Sequence, residues 1–373
     1  MNKPPWVGKN AKILIVPVIA VLLIVAVFLS IQPGGSEDKL SLAIEGGELT
    51  LTSVGRNHES LSAFAQEDEE NARELVDAAR VAAQSAKPKL DSAKRVNDEY
   101  IQRMVGNFET LAAASNVMSQ GIDNLLLINP NMTRALDYYS NGNYERAANQ
   151  SAYCLQVLVT LLPDFRESDS ALSTMNVFFI PSGQRDSMTL GISQYRDEVE
   201  SYNQYILLLQ SLLKGKDYLK SNEELEELMR QIQSAVSNGD YSSAQQQLQA
   251  ASQLASSMKD PGYQEAANQA SQLNPSQLSG KAANTAEELR NKLRNIEGLE
   301  DFENYLRSLQ KYLEALEKHQ QGNPSEAQQA LDEGLSILSQ GQGKDEELQG
   351  MYDGLEAAFN ELQLRIKGQP DQG

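Results

Sequence analysis

The sequence predicts a mostly α-helical chain behind a single N-terminal membrane-spanning helix, with one short β-hairpin between them. Three observations carry this. Residues 13–31, ILIVPVIAVLLIVAVFLSI, hold no charged side chain. From about residue 58 onward, apolar residues recur at steps of three and four, the period of one helix face. A turn of Gly, then Asn or Asp, then Tyr or Pro precedes an alanine in SNGNYERA, SNGDYSSA and QGNPSEA.

The apolar run has the length of a membrane span: at 1.5 Å per residue it covers roughly 28 Å, about the hydrocarbon thickness of a bilayer. Pro17 lies near its start, where freed backbone groups are easily satisfied again. Lys3, Lys9 and Lys12 precede the run, Glu37 and Asp38 follow it, and Trp6 suits the interface. The positive-inside bias then puts residues 1–12 in the cytoplasm and everything after the run beyond the cell membrane. A cleaved secretory signal is the rival reading, disfavoured by the length of the run and the lack of an A-x-A site after it.

Residues 32–38 read as a flexible stalk. In 39–57, Leu40, Leu42 and Ile44 alternate before Gly46-Gly47, and Leu49 and Leu51 follow, which is a hairpin pattern. Residues 58–214 read as a helical bundle. A helix over about 59–86 ends before Pro88, and the next carries Tyr100, Met104, Phe108, Leu111, Ser115, Met118, Ile122 and Leu125 on one coiled-coil-like seam. Further helices fall at about 185–213, 222–238, 281–297, 300–321 and 344–367. Residues 215–373 form a second helical region.

The repeated turn has a mechanical meaning. Gly142, Gly239 and Gly322 stand where a left-handed residue closes a helix. Asn143, Asp240 and Asn323 then suit the N-cap of the next helix. Pro324 fits a first helical position, filled by Tyr144 and Tyr241 in the other copies, and Glu326 has capping-box spacing from Asn323. Ala147, Ala244 and Ala327 leave room for a neighbouring backbone. Each copy therefore predicts an antiparallel helical hairpin, one in residues 58–214 and two in 215–373.

These residues resemble the tetratricopeptide repeat, a helix–turn–helix unit. The first copy offers Ala135, Tyr138, Gly142-Asn143-Tyr144 and Ala147, with Cys154 where a small residue is usual. The second offers Tyr241, Ala244, Leu248 and Ala251. In the third, Ala315, Ala327 and Leu331 match, while Pro324 replaces the tyrosine and Gly334 the later alanine. The glycines lie 97 and 83 residues apart, whereas tandem repeats recur about every 34. The resemblance implies helical hairpins suited to protein contacts; it implies neither a continuous peptide groove nor particular binding residues.

Little in the chain points to catalysis. Acidic residues outnumber basic ones by 51 to 32, a formal charge of −19, which disfavours nucleic acid as a partner. Cys154 is the only cysteine, so no disulfide forms within the chain, and His58 and His319 are the only histidines. S-x-x-K occurs at Ser211/Lys214 and Ser308/Lys311, on Leu-rich stripes and without S-D-N or K-T-G partners. GQGK at 341–344 lacks the strand and the Ser/Thr of a phosphate loop. The carboxylates of Glu67–Glu70 and of Glu223, Glu224, Glu226 and Glu227 read as solvated faces, with no calcium loop to converge them.

Asn131 and Asn149 begin N-glycosylation sequons. NVFFIPSG (176–183) offers Phe178 and Phe179 as docking residues, although a buried connector is the expected role. The expectation is a non-enzymatic, cofactor-free scaffold or adaptor, anchored by a single membrane span and binding another envelope protein, with a homo-oligomer left open. The alternative is an extracytoplasmic sensor or ligand-binding domain working with a separate signalling partner, since the long paired helices resemble chemoreceptor ligand domains.

Overall fold

The computed structural model describes residues 36–259, 261–294, 298–341 and 346–367. Twelve α-helices make up the described chain: α1 (Ser36–Ala65), α2 (Glu69–Ala93), α3 (Glu99–Ser140), α4 (Tyr144–Leu158), α5 (Leu162–Ser173), α6 (Ser182–Ser237), α7 (Tyr241–Ser257), α8 (Pro261–Ser271), α9 (Gly280–Arg294), α10 (Leu299–Gln320), α11 (Pro324–Leu338) and α12 (Glu346–Lys367). Short 3-10 turns occupy Val159–Leu161, Val177–Phe179 and Pro275–Gln277. Two compact units result. Of the described residues, one unit takes 36–128 together with Leu158–Tyr202, and the other takes Asn129–Val157 with those from Asn203 to Lys367.

The expected β-hairpin at 39–57 does not form; the segment lies inside α1, and no strand occurs among the described residues. The reason is visible in what α1 buries. Ala43, Gly46, Gly47, Thr50, Ser53, Val54, Asn57, Ser60, Ala63 and Phe64 form one helical stripe, while Leu40, Leu42, Ile44, Leu49 and Leu51 are only partly covered. The alternating leucines are thus not the core-facing set. The expected membrane-spanning run at 13–31 lies outside the described residues, as do residues 1–12 and most of the stalk. None of the described helices is long and apolar enough to cross a membrane.

In the first unit α1 packs along α2. Small residues set the approach: a Cβ on Gly46 would stand 2.7 Å from Leu90 Cδ2, and one on Gly47 would stand 2.3 Å from the Phe108 ring. Buried polar groups between α1 and α3 satisfy one another. Ser53 and Ser115 share a hydroxyl–hydroxyl bond of 2.7 Å. Asn57 donates to the Ser115 carbonyl at 2.8 Å and accepts from Ser119 at 2.9 Å. Such a closed network costs little to bury and fixes the register of the two helices. Phe165, Tyr195 and Tyr202 form an aromatic cluster, with the Phe165 and Tyr202 ring centres 4.9 Å apart.

Two helix boundaries also differ from expectation. Pro88 lies inside α2, which continues to Ala93, and the break comes earlier, after Ala65. The helices expected at 185–213 and 222–238 are one helix, α6, so the boundary placed at 214/215 falls within it. Leu208, Leu209, Leu212, Tyr218, Leu219 and Leu225 keep one stripe buried through that point.

In the second unit α10 packs against α7, α11 and α12, and α11 against α12. Helices α8 and α9, which pack on each other, are inserted in sequence between α7 and α10.

Candidate functional site

The repeated turns share one geometry. Gly142, Gly239 and Gly322 have φ of 69°, 73° and 77°. In each, the N–H after the glycine donates to a carbonyl five residues back: Asn143 to Tyr138, Asp240 to Ala235 and Asn323 to Lys318, at 2.8–2.9 Å. The glycine N–H donates three residues back, completing the double bond pattern that satisfies carbonyls at a helix end. Asn143 and Asp240 then cap the next helix, accepting from Arg146 N–H at 3.3 Å and Ser243 N–H at 3.1 Å. Asn323 makes no side-chain cap, and Glu326 pairs with Lys318 across the turn at 2.6 Å rather than closing a capping box. Ala147, Ala244 and Ala327 are buried, and Pro324 and Tyr241 open their helices.

A fourth copy of the turn escaped sequence reading. Between α1 and α2, Asp68 N–H donates to Ala63 O and Glu67 N–H to Phe64 O, both at 3.0 Å. Glu67 holds the glycine's place at φ 63°, and Asp68 caps α2 by accepting from Asn71 N–H. The acidic cluster at 67–70 is therefore a helix stop, a cap and a favourable first turn. The available signal was Asp68 followed by two glutamates, a helix-start pattern.

The first turn is braced from α6. Tyr144, buried beside Tyr139 with ring centres 5.7 Å apart, donates its hydroxyl to Glu223 at 2.7 Å. Burial, the bond to Glu223 and that carboxylate's charge push the Tyr144 phenol far above its ordinary range. Lys216 pairs with Glu145 at 2.9 Å on the same pair of helices. Glu223 thus has a structural partner, unlike a merely solvated carboxylate. Gln245 on α7 donates to Glu317 on α10, and Lys259, just past the end of α7, pairs with Glu303 on α10. The second and third hairpins are therefore neighbours despite the intervening chain.

The residues with catalytic spacing are engaged structurally. The Ser211 hydroxyl donates to Leu207 O and that of Ser308 to Gly334 O, while Lys214 pairs with Glu265 and Lys311 with Glu333. Cys154 is buried, and burial pushes its thiol up to about 11. Asn149 is exposed on α4, but Ser151 of its sequon is buried and bonded to Ala147 O; Asn131 is half-buried within α3. The GQGK stretch lies almost wholly outside the described residues.

Two features stand apart from the hairpins, both in the first unit. Glu198 is buried, and neither carboxylate oxygen has a hydrogen-bond partner among the described residues; the His58 ring stands beside it with Nδ1 3.4 Å from Oε1, long for a hydrogen bond. Burial pushes the Glu198 carboxyl up to about 7 against the opposing pull of His58. The second is the Phe178–Phe179 turn, expected to be buried. Phe178 is 74% exposed, while Phe179 is half-buried under Arg103, whose guanidinium stands 4.7 Å from the ring centre, and beside Tyr100. Tyr100, placed on the α3 seam by sequence, is 40% exposed.

Comparison with protein-family models, curated proteins and solved structures gave no match for this chain.

Proposed function

We propose that the protein is a membrane-anchored helical scaffold that binds another protein of the cell envelope through its second unit. The uncharged run at 13–31 and the lysines before it support the anchor and its orientation. The binding reading is carried by one observation: α7 packs against α10, and α10 against α11 and α12, so hairpins separated by the inserted α8 and α9 come together in series. Serially stacked helical hairpins expose repeating helix faces, a form that protein partners occupy, and an anchor raises the effective concentration of the pair.

The test is photo-crosslinking in intact cells from the exposed positions Gln249 on α7, Gln329 on α11 and Leu364 on α12. A discrete adduct with a second protein at one or more positions is expected. Adducts with copies of the same chain alone, or none at any position, would sink the adaptor reading. Topology is read separately by protease shaving of cells stripped of outer layers but with a sealed cell membrane. A tag placed after Gly373 is expected to be lost while a cytoplasmic control survives.

A further inference from the structure

We propose that one end of the first unit seats on the surface of the bilayer through Tyr100, Arg103, Phe178, Phe179 and Arg185. This rests on the anchor reading above and adds a lipid contact to it.

The side-chain contacts fix the direction of each helix. Gly47 faces Phe108, Ser53 meets Ser115, and Asn57 meets both Ser115 and Ser119, so α1 and α3 run the same way. Gly46 faces Leu90, whereas Ser60 donates to Ala72 O, so α2 runs back. Gly191 faces Leu51 and Val54, and Glu198 faces His58, so α6 also runs with α1. The start of α1, the end of α2 and the starts of α3 and α6 therefore gather at one end of the unit.

At 1.5 Å per residue, Ser36 lies roughly 16 Å beyond the level of Gly47, and Tyr100 roughly 12 Å beyond the level of Phe108. Tyr100 and its neighbour Phe179 thus lie close to the level at which α1 begins. The chain from Ile31 to Ser36 reaches at most about 17 Å when extended. A span ending at Ile31 holds this end, rather than the opposite one, against the headgroups.

The patch has the composition of a membrane-interface contact. Asn176 accepts from Phe178 N–H at 3.1 Å, and Asn107 donates to Asn176 O at 2.9 Å, so the turn is pinned with Phe178 outward. Arg185 fixes its far side by donating to Phe178 O and Ile180 O, and its guanidinium lies 5.8 Å from the Phe178 ring centre. Exposed aromatic rings enter the interface while guanidinium groups meet lipid phosphate. Arg103 also pairs with Glu99 on its own helix, so the rings carry the contact, and the two guanidinium groups that lie against them reach the phosphate layer.

The full chain carries the test in vesicles of phosphatidylcholine with a minor share of phosphatidylglycerol. A fluorophore is attached at Ser182→Cys, exposed beside the patch, or at Gln66→Cys at the opposite end of α1; Cys154 is buried and stays unlabelled. Vesicle flotation reports the anchor, and quenching by doxyl-lipid reports contact with the bilayer. Quenching at 182 is expected to exceed that at 66 by about threefold or more, and Phe178→Asp to remove most of the excess while flotation persists. Flotation with equal, weak quenching at both sites would overturn the patch and point to a protein partner there. A chain that fails to float overturns the anchor reading, and the lipid contact falls with it.

Discussion

Glu67 stands at φ 63°, a backbone region that crowds an L side chain, and takes the place that glycine fills at 142, 239 and 322. Three of the four helix-stopping turns were legible because glycine marks them. The fourth was hidden because a glutamate bears the strain, held by the same pair of backbone bonds. Glu67→Gly is therefore expected to raise stability by about 1 kcal/mol, offset in part by the freer unfolded chain. Gly322→Ala, whose added Cβ meets open space, isolates the left-handed cost and is expected to lower stability by about 1 kcal/mol. Urea midpoints of the detergent-solubilised chain check both. A loss at 67, or no change at 322, would mean that backbone strain does not govern these turns.

At the scale of the element, α1 was the one segment read as the wrong kind of structure, and its sequence explains why. Hydrophobicity alternates through Leu40, Leu42 and Ile44, and through Leu49 and Leu51, but those side chains are only partly covered. Apart from Val54 and Phe64, the buried stripe is instead written in glycine, serine, threonine, asparagine and alanine, which carry little apolar signal. The α3 seam was legible because Met104, Phe108, Leu111, Met118, Ile122 and Leu125 are both apolar and buried. The paired glycines of α1 serve close packing rather than a turn. Gly47→Ala gains up to about 1 kcal/mol of helix propensity. It is nonetheless expected to destabilise, because its Cβ would lie 2.3 Å from Phe108 and overpacking costs about 1–3 kcal/mol. Gly55→Ala, on the same helix with nothing within 4 Å, keeps only the gain and is expected to stabilise. Opposite signs at 47 and 55 in thermal unfolding would establish the contact; a gain at both would refute it.

For the molecule as a whole, the sequence conveyed charge and length but neither the meeting of α7 with α10 nor the burial of Glu198. Both depend on residues far apart in the chain, and an isolated glutamate carries no mark of where it will be buried. That glutamate makes stability depend on pH. Its folded carboxyl is pushed up to about 7 from an ordinary value of 4.5. The stability linked to it is thus fully present below the unfolded value and is lost as pH rises through about 7. His58 acts in the same direction: the nearby Glu198 carboxylate leads the causes raising its folded pKa, reinforced by Asp197 and Glu59, so its contribution also fades as pH rises. Self-repulsion in a chain of charge −19 and pI near 4.6 grows over the same interval. Substitution separates the local part from the global one. Glu198→Gln keeps the shape, removes the buried ionisation and leaves the remaining surface charge nearly unchanged. The variant is expected to gain roughly 2 kcal/mol over the parent at pH 8.5, with little advantage at pH 5. Parallel stability–pH curves for the two proteins would assign the whole dependence to net charge and remove Glu198 from it.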